Sequence, residues 1–157
     1  MSADLSKVDM LTRREIEARI AGPLIKAFAR EFGEEKTLKI AEEVIRSLAR
    51  ESGAQLAKNI GGNSLEHFIK AMEVYARGDA HDTEVVGRSE TQYSMNIKRC
   101  KYVDMYKEIG MGDLGYLLSC GRDFPMVEGF NPRMKLTRAK TIQEGDDVCN
   151  FCFTVQE

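Results

Sequence analysis

Gln92-Tyr93-Ser94-Met95-Asn96-Ile97-Lys98-Arg99-Cys100 is the stretch whose reading decides the fold. Tyr93, Met95 and Ile97 alternate with polar neighbours, the period of two expected of a strand with one buried face. Residues 83 to 99 therefore read as a hairpin that turns near Ser89-Glu90-Thr91. Downstream, residues 102 to 109 and 113 to 127 carry helical spacing. Two last strands are expected near 134 to 142 and 148 to 155, joined by Gln143-Glu144-Gly145-Asp146, where Gly145 serves a turn of positive φ.

Upstream of Gly78 the period changes to that of helices. Thr12 and Glu15 form a capping box, and Ile16, Ile20, Leu24, Ala27 and Phe28 follow as an apolar stripe. Gly22-Pro23 should kink this helix and Gly33 should end it. A second helix carries Leu38, Ala41, Val44, Ile45 and Leu48 on one face, up to the break at Gly61-Gly62-Asn63. Ser64 caps a third, with Leu65, Phe68, Ile69, Met72 and Tyr75. The sum is an α+β domain: an antiparallel sheet of about four strands packed by helices, behind a helical N-terminal segment. A single domain is expected over 1–157, with 1–78 helical and 79–157 the α+β part, since the helices can cover an otherwise open sheet face.

Composition narrows the classes of function. A net charge of −2 provides no basic footprint for nucleic acid. No apolar run approaches the roughly 20 residues that span a bilayer, so no membrane partner is expected. Residues 1–9 include acidic side chains and no apolar core of a secretory signal, which points to the cytoplasm. Thiols stay reduced there, so the four cysteines are not expected to form a disulfide framework. A homodimer remains open as a way to complete a pocket.

All four cysteines fall in the second half. Cys149 and Cys152 resemble a C-x-x-C motif, but strand alternation turns Cys149, Phe151, Phe153 and Val155 one way and Cys152 the other, leaving Cys152 as a core residue. Cys120 and Asp123 are three apart on a helical stretch and share a face with Tyr116. A thiol, a carboxylate and a phenol would then converge. Asp123 raises the pKa of a neighbouring thiol, so a reactive Cys120 needs a cation such as Arg99, Arg122, Arg133 or Arg138. The structural alternative is a small core cysteine with Asp123 paired to Arg122 or Arg99. His67 and His81 lie too far along the chain to be assigned to this group by spacing. As a metal set, Cys100, Cys120, Asp123 and Cys149 would suit zinc, which leaves a divalent metal open as cofactor.

From Thr83 to Val155 the chain resembles the L-2-amino-thiazoline-4-carboxylic acid hydrolase family. The likeness rests on Arg99-Cys100-x-Tyr102, Gly110 with Leu114-Gly115, Cys120-x-x-Asp123, Asn131-Pro132, Leu136-x-Arg138-x-x-Thr141-Ile142 and Gly145-x-x-x-Cys149-x-Phe151. It implies a hydrolase that opens a small cyclic amidine bearing a carboxylate, giving a carbamoyl-cysteine. That chemistry needs a nucleophile or activated water, a proton donor for the leaving atom and a cation for the carboxylate. The implied casting makes Cys120 the nucleophile or a metal ligand and Asp123 a base, acid or ligand. Cys100, Tyr116, Asn131 and Cys149 would line the substrate pocket, with Arg138 or Arg99 on the carboxylate. The same arrangement is also similar to small-molecule-binding domains of the 4-vinyl reductase type, which implies a sensor without turnover. A cysteine-ligated metal protein is the third reading.

Overall fold

The computed structural model describes residues 7–156; residues 1–6, on which part of the expectation about a secretory signal fell, lie outside them. Helix α1 runs Met10–Phe32 and α2 Glu34–Ile60, separated by Gly33 alone at φ 95°. Asp9, not Thr12, caps α1. Its carboxylate accepts from the Thr12 backbone N–H at 2.9 Å and from the Thr12 hydroxyl at 2.8 Å. Glu15 is thereby free to bind Arg19 at 2.7 Å. Pro23 lies inside α1, which continues through it.

Ser64 caps α3 (Leu65–Ala76) as expected, accepting from the His67 N–H. Strands β1 (His81–Arg88) and β2 (Gln92–Cys100) form the hairpin. Helix α4 (Lys101–Glu108) follows, then a short α5 (Gly115–Leu118) and α6 (Asp123–Phe130). Strands β3 (Met134–Thr137) and β4 (Cys149–Val155) complete an antiparallel sheet of order β1-β2-β4-β3. The fold is α+β, and no helix among the described residues is long and apolar enough to cross a membrane.

Three sequence expectations change. The helix expected over 113–127 is broken at Ser119 (φ −130°, ψ −73°), so Cys120–Arg122 form a 3-10 turn ahead of α6. Side chains at i and i+3 eclipse in such a turn, which still sets Cys120 and Asp123 on one side. The strand expected over 134–142 stops at Thr137, and residues 142–144 make another 3-10 turn that Gly145 ends at φ 102°.

The third change concerns direction. The α1 stripe is not the core face: Ile16, Ile20, Leu24 and Phe28 are each at least half exposed, as are Val44 on α2 and nearly Leu48. Helix α1 buries Arg14, Ala18 and Gly22 instead, and α2 buries Ala49 and Gly53. Small residues permit the closest helix approach, so they take the inside while Leu24, Phe28, Val44 and Leu48 line an open groove between α1 and α2 and Ile16 and Ile20 are exposed outside it.

The main core lies between the sheet and helices α2, α3 and α6. Phe68 is fully buried and meets the Phe130 ring edge-on at 5.2 Å and the Phe153 ring at 4.8 Å. The register sets Tyr93 opposite Phe153, Met95 opposite Phe151 and Ile97 opposite Cys149, so one sheet face is apolar throughout. Cys152 turns to the other face, half-buried and outside that core, which corrects its assignment as a core residue.

Candidate functional site

A cavity of about 360 Å³ opens between this sheet face and the helices. Its floor is Tyr93, Met95, Ile97, Cys149, Phe151 and Phe153 from β2 and β4. Ala49 and Ser52 of α2, Ile69 and Met72 of α3 and Met126 of α6 form the roof. The polar wall comes from the ends of elements: Cys100 at the end of β2, Cys120 and Arg122 in the 3-10 turn, Asp123 at the start of α6, and Arg138 just past β3. Cys100, Cys120, Asp123, Arg138 and Cys149 therefore face one space.

The wall is organised by Arg138. Its side chain is 2% exposed, and its guanidinium donates to the Asp123 carboxylate through Nη1 and to the Cys120 carbonyl through Nη2 at 3.1 Å. The flat cation lies over the rings of Phe124 and Phe151, each at 5.1 Å, and of Tyr116 at 5.7 Å. Arg138, not Arg122 or Arg99, is thus the hydrogen-bonded partner of Asp123, and each of its terminal nitrogens already binds the protein. A substrate carboxylate would have to compete with Asp123 for it. Tyr116 is exposed and touches the site through Arg138 rather than by lining the cavity.

Both polar thiols of the wall are un-ionised. Burial pushes the Cys120 thiol up to about 12, with the Asp123 charge adding to the effect and Arg138 opposing it. Burial also raises Cys100, to about 11. The Asp123 carboxyl is pushed up by desolvation and pulled down by Arg138. Among the described residues, no three His, Cys, Asp or Glu side chains gather to hold a metal ion. Cys100, Cys120, Asp123 and Cys149 share a cavity without forming a coordination set, which corrects the metal reading of that quartet.

Several sequence candidates have structural work instead. Cys149 accepts the Ile142 N–H at 3.3 Å and donates to Thr141 Oγ1 at 3.7 Å. Asp146 closes the same turn by accepting the Thr141 N–H at 2.8 Å. The Thr141-Ile142…Gly145…Cys149 motif is therefore a turn clipped to the cavity floor. Asn131 is buried, donating to the Asn63 carbonyl at 2.9 Å and accepting the Arg133 N–H at 2.9 Å, which ties β3 to the loop before α3. It does not reach the cavity. Arg99 does not either: its side chain is 71% exposed and lies 3.7 Å from Asp104.

The cavity also contains a group that the sequence reading passed over, Arg14 of α1. It lines the space together with Arg122, Tyr75, His81 and Tyr102. The spacing Arg14-x-x-x-Ala18-x-x-x-Gly22 was the available signal, because it places an arginine in line with the two small buried residues of α1. His81 stacks on Tyr102 at 5.2 Å, and burial drops its imidazole to about 4. The folded state then binds fewer protons than the unfolded chain between pH 6.5 and about 4, so stability falls as pH drops through that window. His81→Phe, which keeps a ring against Tyr102, should flatten the urea-unfolding free energy across the window. The wild-type loss it removes is roughly 3 kcal/mol at most, and parallel pH profiles for the two proteins would refute the assignment.

No curated protein matches the sequence. Solved structures that share its fold include the following two. A trafficking protein particle complex subunit 3 from Naegleria fowleri, covalently bound to palmitic acid, superposes with a TM-score of 0.52 at 14% identity, covering 93% of this chain and 96% of its own. The phenol-responsive sensory domain of the transcription activator PoxR, with phenol, gives 0.54 at 8% identity, covering 86% of this chain and 72% of its own. At these identities the likeness is one of fold. The family model of L-2-amino-thiazoline-4-carboxylic acid hydrolase matches residues 13–153, so the resemblance extends through the helical half as well. With most of α1, most of the sheet and the whole polar wall inside that match, the chain belongs to the L-2-amino-thiazoline-4-carboxylic acid hydrolase family.

Proposed function

We propose that the cavity opens a small cyclic amidine of the 2-amino-thiazoline-4-carboxylate kind to a carbamoyl-cysteine. One observation carries this reading: Cys120 and Asp123 face the same enclosed space as Cys100 and Cys149, in a chain whose family match spans nearly its full length. The electrophile is the ring carbon between sulfur and nitrogen. Water adds there, its proton goes to a base, and the tetrahedral adduct collapses by breaking the bond to ring nitrogen or ring sulfur. The departing atom takes that proton back, so the net change is addition of one water.

Asp123 is the base in this scheme. Desolvation strengthens it as a proton acceptor while Arg138 keeps it ionised and aimed. Cys120 enters as a neutral thiol, since a sulfur titrating near 12 is almost wholly protonated at pH 7. Attack by sulfur would require Asp123 to take the thiol proton in the same step. The scheme therefore takes water activated by Asp123 as the nucleophile, with Cys120 a neutral thiol in the cavity wall.

Turnover of 2-amino-thiazoline-4-carboxylate, followed by chromatography of the product, tests the scheme. Asp123→Asn should lower kcat by about 100-fold or more, whereas Cys120→Ser should keep a measurable fraction. An active Asp123→Asn protein would remove Asp123 as the base. Full turnover by a folded Cys120→Ser protein would remove Cys120 from the chemistry. The second reading is a binding module without turnover, supported by the apolar floor and the likeness to a phenol-responsive sensory domain. Saturable binding of the amidine or of phenol, with no product formed, would favour it.

A further inference from the structure

Arg14 and Arg122 stand at the throat of the cavity, because both line the inner space and also the groove between α1 and α2. The Arg14 side chain is 10% exposed, and its Nη1 meets Glu17 at 2.6 Å, a carboxylate itself half in solvent. The Arg122 side chain makes no hydrogen bond or ion pair among the described residues, while its backbone N–H donates to the Ser119 carbonyl. Burial and the nearby Arg14 charge together weaken its hold on the proton. Tyr102 faces the same cavity, and its buried hydroxyl has no partner. Arg14 lies close enough to act on both Tyr102 and Tyr75.

This throat has an excess of donors. Two guanidiniums and an orphaned phenol face inward, and among the described residues the one carboxylate paired with either cation, Glu17, sits at the solvent edge. Buried donors without acceptors are costly, and like charges brought together cost more. A planar anion with two acceptor oxygens relieves both, and the fork of an arginine matches a carboxylate best. With Arg138 committed to Asp123, the cations left for a ligand are these two.

We propose that Arg14 and Arg122 seat the carboxylate of the substrate at the throat, with the Tyr102 hydroxyl as a third donor. The ligand class is an organic monocarboxylate whose ring or apolar body lies along the β2–β4 floor. The seat deepens the hydrolase reading and relies on it for the identity of the ring alone.

Calorimetric titration of the full chain with 2-amino-thiazoline-4-carboxylate and with 2-aminothiazoline, which lacks the carboxylate, tests the seat. The acid should bind roughly 10- to 100-fold more tightly than the ring without its carboxylate. Arg122→Gln should erase most of that preference without weakening the ring that lacks the carboxylate, and Arg122→Lys should restore part of it. Arg14→Gln should act in the same direction. Because the substitution removes a half-buried cation that lies near another, Arg122→Gln should also hold or raise the ligand-free Tm, which a merely structural arginine would not do. Equal binding of the two compounds, an unchanged preference in Arg122→Gln, a lowered Tm in that variant, or no saturable binding of the acid would each overturn the seat. Arginine-dependent binding without product would leave the seat standing and remove the hydrolase reading.

Discussion

Gly129→Ala is expected to lower stability by about 3–4 kcal/mol, at the upper end of overpacking costs. Helices α2 and α6 cross so closely that each offers a glycine to the other's backbone. A Cβ on Gly129 would sit 2.0 Å from the Arg50 carbonyl oxygen, and one on Gly53 would sit 2.0 Å from the Met126 carbonyl oxygen. Backbone atoms cannot rotate away as side chains do, so the helices must separate. Separation would open the Val127 and Phe130 packing and strain the Arg50–Glu128 ion pair at 2.7 Å. Alanine's better helix propensity returns only about 1 kcal/mol. Gly53→Ala should cost a similar amount, and the double variant less than the sum, since the first substitution already parts the helices. Gly87→Ala is the control, as its nearest neighbour is 3.7 Å away. For a chain of this size the loss corresponds to a Tm drop of about 10 °C. A drop under about 2 °C by scanning calorimetry would mean that the crossing is looser than these distances. Because α6 begins at Asp123, turnover should fall in Gly129→Ala even well below its Tm.

The crossing also marks the limit of what the sequence alone conveys. Period-two spacing at Tyr93, Met95 and Ile97 located the sheet face that became the cavity floor, and Ser64 and Gly145 marked a cap and a turn correctly. These are local signals, read within a few residues. Whether Ile16, Ile20, Leu24 and Phe28 point inward is not local. The i, i+4 spacing describes a stripe equally well whether it faces the core or an open groove, and the small residues Ala18, Gly22, Ala49 and Gly53 decided which face closed. The site divides in the same manner. Cys120 and Asp123 were legible as neighbours because three residues apart means one side in either helix type. Arg138 was legible as relevant, but its pairing with Asp123 across 15 residues of chain was not. Arg14 lies far along the chain from the rest of the wall, and no spacing rule reaches that distance. Asn131 and Cys149 were read as lining the substrate pocket; both hold loops by hydrogen bonds, and Cys149 also lines the cavity whereas Asn131 does not.

Arg138→Met should destabilise the protein at pH 7 by about 3 kcal/mol. Methionine keeps much of the stem that packs between Phe124 and Phe151, so the loss falls mainly on the charge and its hydrogen bonds. Removal of a buried partner costs more than the pair contributes, because it leaves Asp123 desolvated and unpaired; the carboxylate's remaining 32% exposure moderates the figure. The sign of the pH response separates this from simple lost packing. With the guanidinium gone, the strongest opposition to desolvation is lost, only the weaker pull of Arg14 and Arg122 remains, and the folded-state pKa of Asp123 rises further above its ordinary value of 3.8. A raised folded value means that the native state holds the proton more strongly than the unfolded chain. The stability so gained is full below about pH 4 and is lost as pH rises through the folded value. Arg138→Met should therefore recover part of its deficit as pH is lowered from 7 toward 5, while the wild type, which keeps the opposing cation, gains less. Adding Asp123→Asn removes the orphaned charge, so the double variant should be more stable at pH 7 than Arg138→Met alone. Urea unfolding at pH 5 and pH 7 reads both effects. An equal deficit at the two pH values, or a double variant no better than the single, would show that Arg138 holds the site through its aromatic contacts and not through Asp123.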